Sequence, residues 1–219
     1  MRNFSSYGII KTKKNYYAPR KELIARILNR LIDDSEEDIP NLTCDEVKYI
    51  FNWYEKESKQ AIESKVIDKI YYEFRGQPGL TCWFGELLTE IYNKDNSHPI
   101  TKKQFDYVYA NAIKVLPNNN ILNIISKVRH SPYKDFALKL FQTNEKLEFQ
   151  YDNIIINYLY MNGIIDIEIE NVDMFIRFSS PFVQKRLFSY FANILFDEAG
   201  QLVPQFTRID HIITKGQHI

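Results

Sequence analysis

The segment Arg75-Gly76-Gln77-Pro78-Gly79-Leu80 constrains the fold more than any other stretch of this chain. Before it, Ile62, Val66, Ile67, Ile70, Tyr71 and Phe74 recur at helical spacing. Gly76 then stops the helix. After it, Leu80, Trp83, Phe84, Leu87, Leu88 and Ile91 fall at offsets 0, 3, 4, 7, 8 and 11, the strongest helical periodicity in the sequence. Two amphipathic stretches separated by so few residues read as a tight helix–turn–helix corner.

Other segments carry comparable punctuation. Pro19 to Ile32 places Leu23, Ile24, Ile27, Leu28 and Leu31 on one face behind a first-turn proline. Thr43-x-x-Glu46 is a capping box, and the helix it opens has an apolar stripe of Val47, Ile50, Phe51 and Tyr54. Thr101-x-x-Gln104 caps another helix, with Phe105, Val108, Ala112 and Val115 expected inward. Ile121, Leu122, Ile125 and Val128 mark a short helix after Pro117. The 15 Tyr and 15 Phe, set against 7 Gly and 8 Pro, suit a packed and largely helical chain.

After Ser131 the pattern changes. Ser131-Pro132 and Asp135 open a helix expected to bury Phe136, Leu140 and Phe141. Leu147 to Gln150 reads as a short strand and Asn153 to Met161 as a compact helix ending at Gly163. Ile165, Ile167 and Ile169 alternate with Asp166, Glu168 and Glu170, the period of a strand. Asn171-Val172-Asp173 turns the chain into Met174–Phe178. Ser180-Pro181 starts a last helix with Val183, Leu187, Tyr190, Phe191 and Ile194 inward. Helix, short strand, helix, hairpin, helix is the order of a winged-helix domain. The expected fold class is therefore mainly α, a helical bundle followed by a winged helix with a small β-hairpin.

Charge excludes several functions. The 28 basic and 28 acidic residues cancel, so no global field draws nucleic acid or anionic membrane. Basic residues dominate up to Arg30, and Asp33-Asp34-Ser35-Glu36-Glu37-Asp38 follows. The pair reads as a basic arm beside a solvated acidic linker. The helix available to a DNA groove, Asn153–Tyr160, has no Lys or Arg, and the hairpin carries Asp166, Glu168, Glu170 and Asp173, expected to face solvent. Nucleic acid is thus an unfavoured partner. Duplex binding that falls steeply with salt would mark that alternative, a nucleic-acid-binding adaptor. No apolar run approaches the roughly 18 residues that span a bilayer. The opening residues lack the apolar stretch of a signal peptide, and the cytoplasm is the expected compartment. Cys44 and Cys82 read as two free, buried thiols.

Catalytic chemistry is not apparent. There is no Gly-x-x-x-x-Gly-Lys-Ser/Thr loop to cradle phosphates. His98, His130, His211 and His218 are scattered without ligand spacing, so no metal site is expected. Asp45, Glu46, Glu55, Glu57 and Glu63 suit caps and solvated faces. Glu86 and Glu90 read as a wet helix face. No catalytic residue is assigned.

Several motifs carry a family resemblance. Asn41-Leu42-Thr43, Phe51-Asn52-Trp53-Tyr54-Glu55-Lys56-Glu57-Ser58 and Arg75–Leu80 resemble the lid of bacterial AAA-like ATPases, which are STAND-type P-loop NTPases. Leu116-Pro117-Asn118-Asn119-Asn120-Ile121-Leu122 and Leu159-Tyr160-Met161-Asn162-Gly163 are similar to the family's following helices and winged helix. The likeness covers roughly residues 39 to 210. Tyr16-Tyr17-Ala18-Pro19-Arg20-Lys21-Glu22-Leu23 resembles the segment just before the P-loop.

The resemblance implies a division into 1–38, a basic segment with its acidic linker; 39–130, the lid; 131–199, the winged helix; and 200–219, a tail. It implies that Arg20 and Pro78 once flanked adenine, with Gly76 and Gly79 allowing close approach. The residues alone read as a plain corner, with Gly76 as cap and Pro78 stopping the first helix. Relatives use ATP and magnesium and often continue into a PD-(D/E)XK nuclease-like domain. Here the chain passes from Leu31 to Asn41 in ten residues, whereas a nucleotide-binding core needs more than about 100. The sequence thus resembles an internally shortened, C-terminally truncated member without a cofactor. The expected function is a non-catalytic protein-interaction module, by self-association or with a protein partner. Weak ATP binding without hydrolysis ranks below both this and the adaptor.

Overall fold

A computed structural model of the chain describes Arg2, Phe4, residues 13–16 and residues 41–198. The expected helix from Pro19 to Ile32, the acidic run, Arg20 and residues 200–219 lie outside the described residues. Among those described, the fold is mainly helical with one small antiparallel sheet. In chain order come α1 (Cys44–Ser58), α2 (Ser64–Phe74) and α3 (Pro78–Glu86), which runs on into a π-helical turn at Leu87–Ile91. Then follow α4 (Lys102–Lys114), α5 (Asn119–Val128), α6 (Tyr133–Gln142) and α7 (Ile154–Met161). Strands β1 (Ile165–Glu170) and β2 (Asp173–Phe178) form the hairpin, and α8 (Pro181–Glu198) closes the series.

Local sequence explains most of these ends. Both capping boxes are made: Thr43 with Glu46 at α1 and Thr101 with Gln104 at α4. Each Thr side chain satisfies a free first-turn N–H, and the Glu or Gln returns the favour to the cap residue. Asn118 and Asn153 cap α5 and α7 in the same sense. Val47, Ile50, Phe51 and Tyr54 are all buried, as the stripe predicts. Ile62 departs from expectation by standing before α2, where it bridges Ile100 in parallel. Buried Gln60 secures that junction by donating to the His98 carbonyl (2.9 Å) and accepting from the Tyr54 hydroxyl (2.5 Å).

The expected inward place of Val115 is corrected, and two residues of the apolar periodicities, Leu122 and Ile91, are also exposed. Val115 is 71% exposed, because α4 ends at Lys114 and the chain leaves the helical path. Leu122 is 52% exposed, and Ile124 takes the buried place. Ile91 is exposed because of the π-turn, in which the Tyr92 N–H donates to the Leu87 carbonyl (3.0 Å). The extra residue in that turn rotates everything after it relative to an α-helix. Thr89 moves into the core, where its hydroxyl donates to the Gly85 carbonyl (2.7 Å).

One hydrophobic cluster runs from α1 to α8, so the two expected units, 39–130 and 131–199, share a core. Phe182 of α8 sits against Phe74, Trp83 and Tyr109 with ring centroids 4.9, 5.8 and 6.0 Å away. Burial behind α6 is shallower than expected. There only Ala137 is fully buried, while Phe136, Leu140 and Phe141 are half-buried. The hairpin register pairs Ile165 with Phe178 and Glu170 with Asp173. Leu147 to Phe149 forms a bridge rather than a full strand: the Phe149 N–H donates to Met174 and Leu147 accepts from Ile176, both at 2.8 Å.

Candidate functional site

The corner is assembled by two left-handed residues. Arg75 (φ 51°) ends α2 with its N–H on the Tyr71 carbonyl (2.7 Å), and Gly76 follows at φ 69°. A Cβ on Gly76 would run into the Leu42 carbonyl, so both the backbone angle and the packing require glycine. The Gly76 carbonyl also accepts from the Leu42 N–H (2.7 Å), which locks the segment before α1 onto the corner. Gln77 caps α3 by accepting from the Leu80 N–H (2.5 Å). Pro78 occupies the first turn of α3, where its missing N–H costs nothing. This corrects the plain-corner expectation in one respect: Pro78 starts the second helix, and Arg75 with Gly76 ends the first.

Beside the corner lies a cleft of about 480 Å³. Asn41 and Gln77 line one wall, Asn120 and Asn123 of α5 a second, and Asn162, Ser179 and Ser180 a third. Leu80, Ile124, Ile165 and Val183 supply apolar floor. The one carboxylate in the lining is Asp166, which accepts from Arg177 (3.0 Å) and from the Ile167 N–H (2.9 Å). An amide-lined cleft with a carboxylate and no cation does not attract phosphate. Pro78 is exposed and stands off this lining, and Arg20, the other adenine-side position, lies outside the described residues.

The hairpin's charge differs from expectation. Asp166 and Glu168 are half-buried and face Arg177, at 3.0 and 3.8 Å, while Glu170 pairs with Lys146. Cross-strand register explains this, since Asp166 lies directly opposite Arg177. The tip also presents apolar side chains to solvent, with Ile169 67%, Val172 89% and Met174 47% exposed alongside exposed Glu170 and Asn171. Asp173 is exposed beside them.

Helix α8 is held by polar as well as apolar contacts. Buried Glu73 of α2 accepts from Lys185 (2.9 and 3.0 Å) and from the Tyr109 hydroxyl (2.5 Å). Burial first, then the Glu73 carboxylate, raises the Tyr109 pKa far above its ordinary value. Arg186 donates to the carbonyls of Ala112, Ile113 and Leu116 and so satisfies the end of α4. Outside this contact, Ile113, Phe141 and Phe188 wall a socket of about 380 Å³ rimmed by Gln184, Lys185 and Ser189.

Among the described N-terminal residues Lys13 and Lys14 are exposed, as a basic arm would have them, but the segment is also packed onto the helices. Phe4 and Tyr16 are buried against Phe51 and Tyr54 of α1. The Phe4 ring lies on Gly85, where a Cβ would come within 2.6 Å of it. Arg2 pairs with Glu57 and stacks 4.5 Å above Trp53. Glu90 is therefore not a wet-face residue: it accepts from the Phe4 N–H (2.7 Å), and desolvation raises its pKa despite that bond. Other acids serve ties, as when Glu55 accepts from the Ile62 N–H (2.6 Å) and Glu63 from the Lys102 N–H (3.1 Å). Both cysteines are free and half-buried, and burial pushes the Cys82 thiol up to about 11. No group of three or more His, Cys, Asp or Glu gathers among the described residues, and no helix among them is long and apolar enough to cross a membrane.

No protein-family model matches this chain, and no curated protein matches it either.

Proposed function

We propose that this chain is a non-catalytic, internally shortened relative of AAA-like ATPases of the STAND type, acting as a protein-interaction module. In this reading residues 39–130 correspond to the lid and 131–199 to a winged helix. The element order from α6 to α8, with Leu147–Phe149 bridging the outer edge of β2, supports the second assignment. The fit of Gly76 against Leu42 supports the first, since the two resembling motifs pack on each other. The reading takes the cytoplasm as its setting.

The observation that carries the interaction role is the hairpin tip. Ile169 and its cross-strand partner Met174 are exposed next to the turn that carries exposed Val172. Clustered exposed apolar side chains mark contact surfaces, and carboxylates beside them favour a protein partner over a phosphate backbone. The corner cleft supports the non-catalytic part, because its amides and single carboxylate suit neutral groups.

Association is the direct test. Light scattering on the intact chain should give a mass that rises with protein concentration. A mass that stays at one chain throughout, with no binding to added protein surfaces, would count against the reading.

A further inference from the structure

Arg2 and Phe4 occupy a seat made of side chains from α1, α3 and the π-turn. On α1, Trp53 and Glu57 stand one helical turn apart and together hold Arg2. Its guanidinium lies 4.5 Å over the indole and pairs with the Glu57 carboxylate, which also accepts from the indole N–H (3.1 Å). The Phe4 ring fills a notch left by Gly85, with the rings of Phe51 and Tyr54 centred 5.0 and 5.9 Å away.

The backbone of this segment is held as well. The Arg2 N–H donates to Glu57 (2.9 Å) and the Phe4 N–H to Glu90 (2.7 Å). Side-chain carboxylates thus satisfy the donors of two alternate residues. A pocket for a guanidinium, a notch for a ring and two acceptors for main-chain N–H groups are the parts of a peptide-recognition site. Residues 17–40 separate the bound segment in sequence from the helices that hold it. Segment and seat are therefore related as a peptide is to its receptor.

We infer that this seat is a docking site for an Arg-x-Phe segment of another polypeptide, covered in this structure by the chain's own Arg2 and Phe4. The inference rests on the interaction-module reading and adds a second contact surface with the chemistry of its partner. The chain's own segment competes at high effective concentration, so a partner segment enters only as it leaves. Arginine suits the first position better than lysine, because its flat guanidinium stacks on Trp53 while it bonds Glu57. The second position takes a ring, since a smaller side chain leaves the notch beside Gly85 unfilled.

The test titrates a fluorescent peptide with the sequence of residues 1–16 against the intact chain, read by anisotropy. The parent should bind it weakly, because the seat is already covered. Phe4→Ala in the protein weakens the covering segment, and affinity for the peptide should rise by about tenfold or more, the equivalent of one buried ring. Arg2→Glu opens the seat a second way, at a side chain that is 29% exposed. Peptides carrying either change should not saturate. Circular dichroism establishes that the protein variants keep their helices. Equal binding of native and altered peptides, or no binding to the folded variants, would overturn the docking site. Loss of the helices in both variants would make the segment an inseparable part of the core and overturn it too. In either case, a parent whose mass rises with concentration would leave the interaction reading standing.

Discussion

Phe182→Ala should destabilise the protein by about 3–5 kcal/mol, the range for a fully buried aromatic ring. Phe182 is completely buried and touches rings from α2, α3 and α4. Its loss leaves a void at the point where α8 enters the bundle, and Phe74, Trp83 and Tyr109 cannot all relax into it. Urea titration followed by circular dichroism measures the effect. The midpoint should fall while the unfolding stays a single transition, because the chain's described parts share one core. A loss under about 1 kcal/mol, the size of a surface change, would mean that α8 does not seat there.

The second large effect is at the corner. Gly76→Ala places a Cβ where the Leu42 carbonyl lies and holds a non-glycine residue at φ 69°. The left-handed conformation alone costs about 1–2 kcal/mol, and moving the Leu42 backbone also breaks its bond to the Gly76 carbonyl. The combined loss should exceed the angular cost. Gly163, also at a positive φ (68°), has open space around its Cβ position. Gly163→Ala therefore serves as the control, since it carries the angular cost without the clash. Equal losses at the two sites would refute the packing argument.

The sequence made the local features legible and left the tertiary ones hidden. Capping at Thr43 and Thr101 could be read because both partners sit three residues apart. The corner could be located for the same reason, although Pro78 proved to open α3. Nothing local announces the π-turn at Leu87–Ile91, so the periodicity carried Ile91 inward when the structure turns it out. The hairpin's charge was misread by considering β1 alone. Aligning Asp166 with Arg177 across the turn would have shown the pairing, since a two-residue loop sets the register.

The amide cleft was out of reach in a different way. Its members come from five separated segments, and only Asn118-Asn119-Asn120 hints at it in sequence. Glu73 could likewise not be matched with Lys185, 112 residues away. Phe4 and Tyr16 carried a signal that charge obscured: two aromatics in a basic stretch are more readily buried than solvated.

The central claim is an ATPase-like lid and winged helix without nucleotide chemistry. Calorimetric titration of the intact chain with magnesium-ATP tests it most directly. The corner cleft offers amides and a paired carboxylate where a phosphate needs cations or a backbone nest. No saturable heat is expected in the micromolar range. A clear micromolar isotherm would contradict the account.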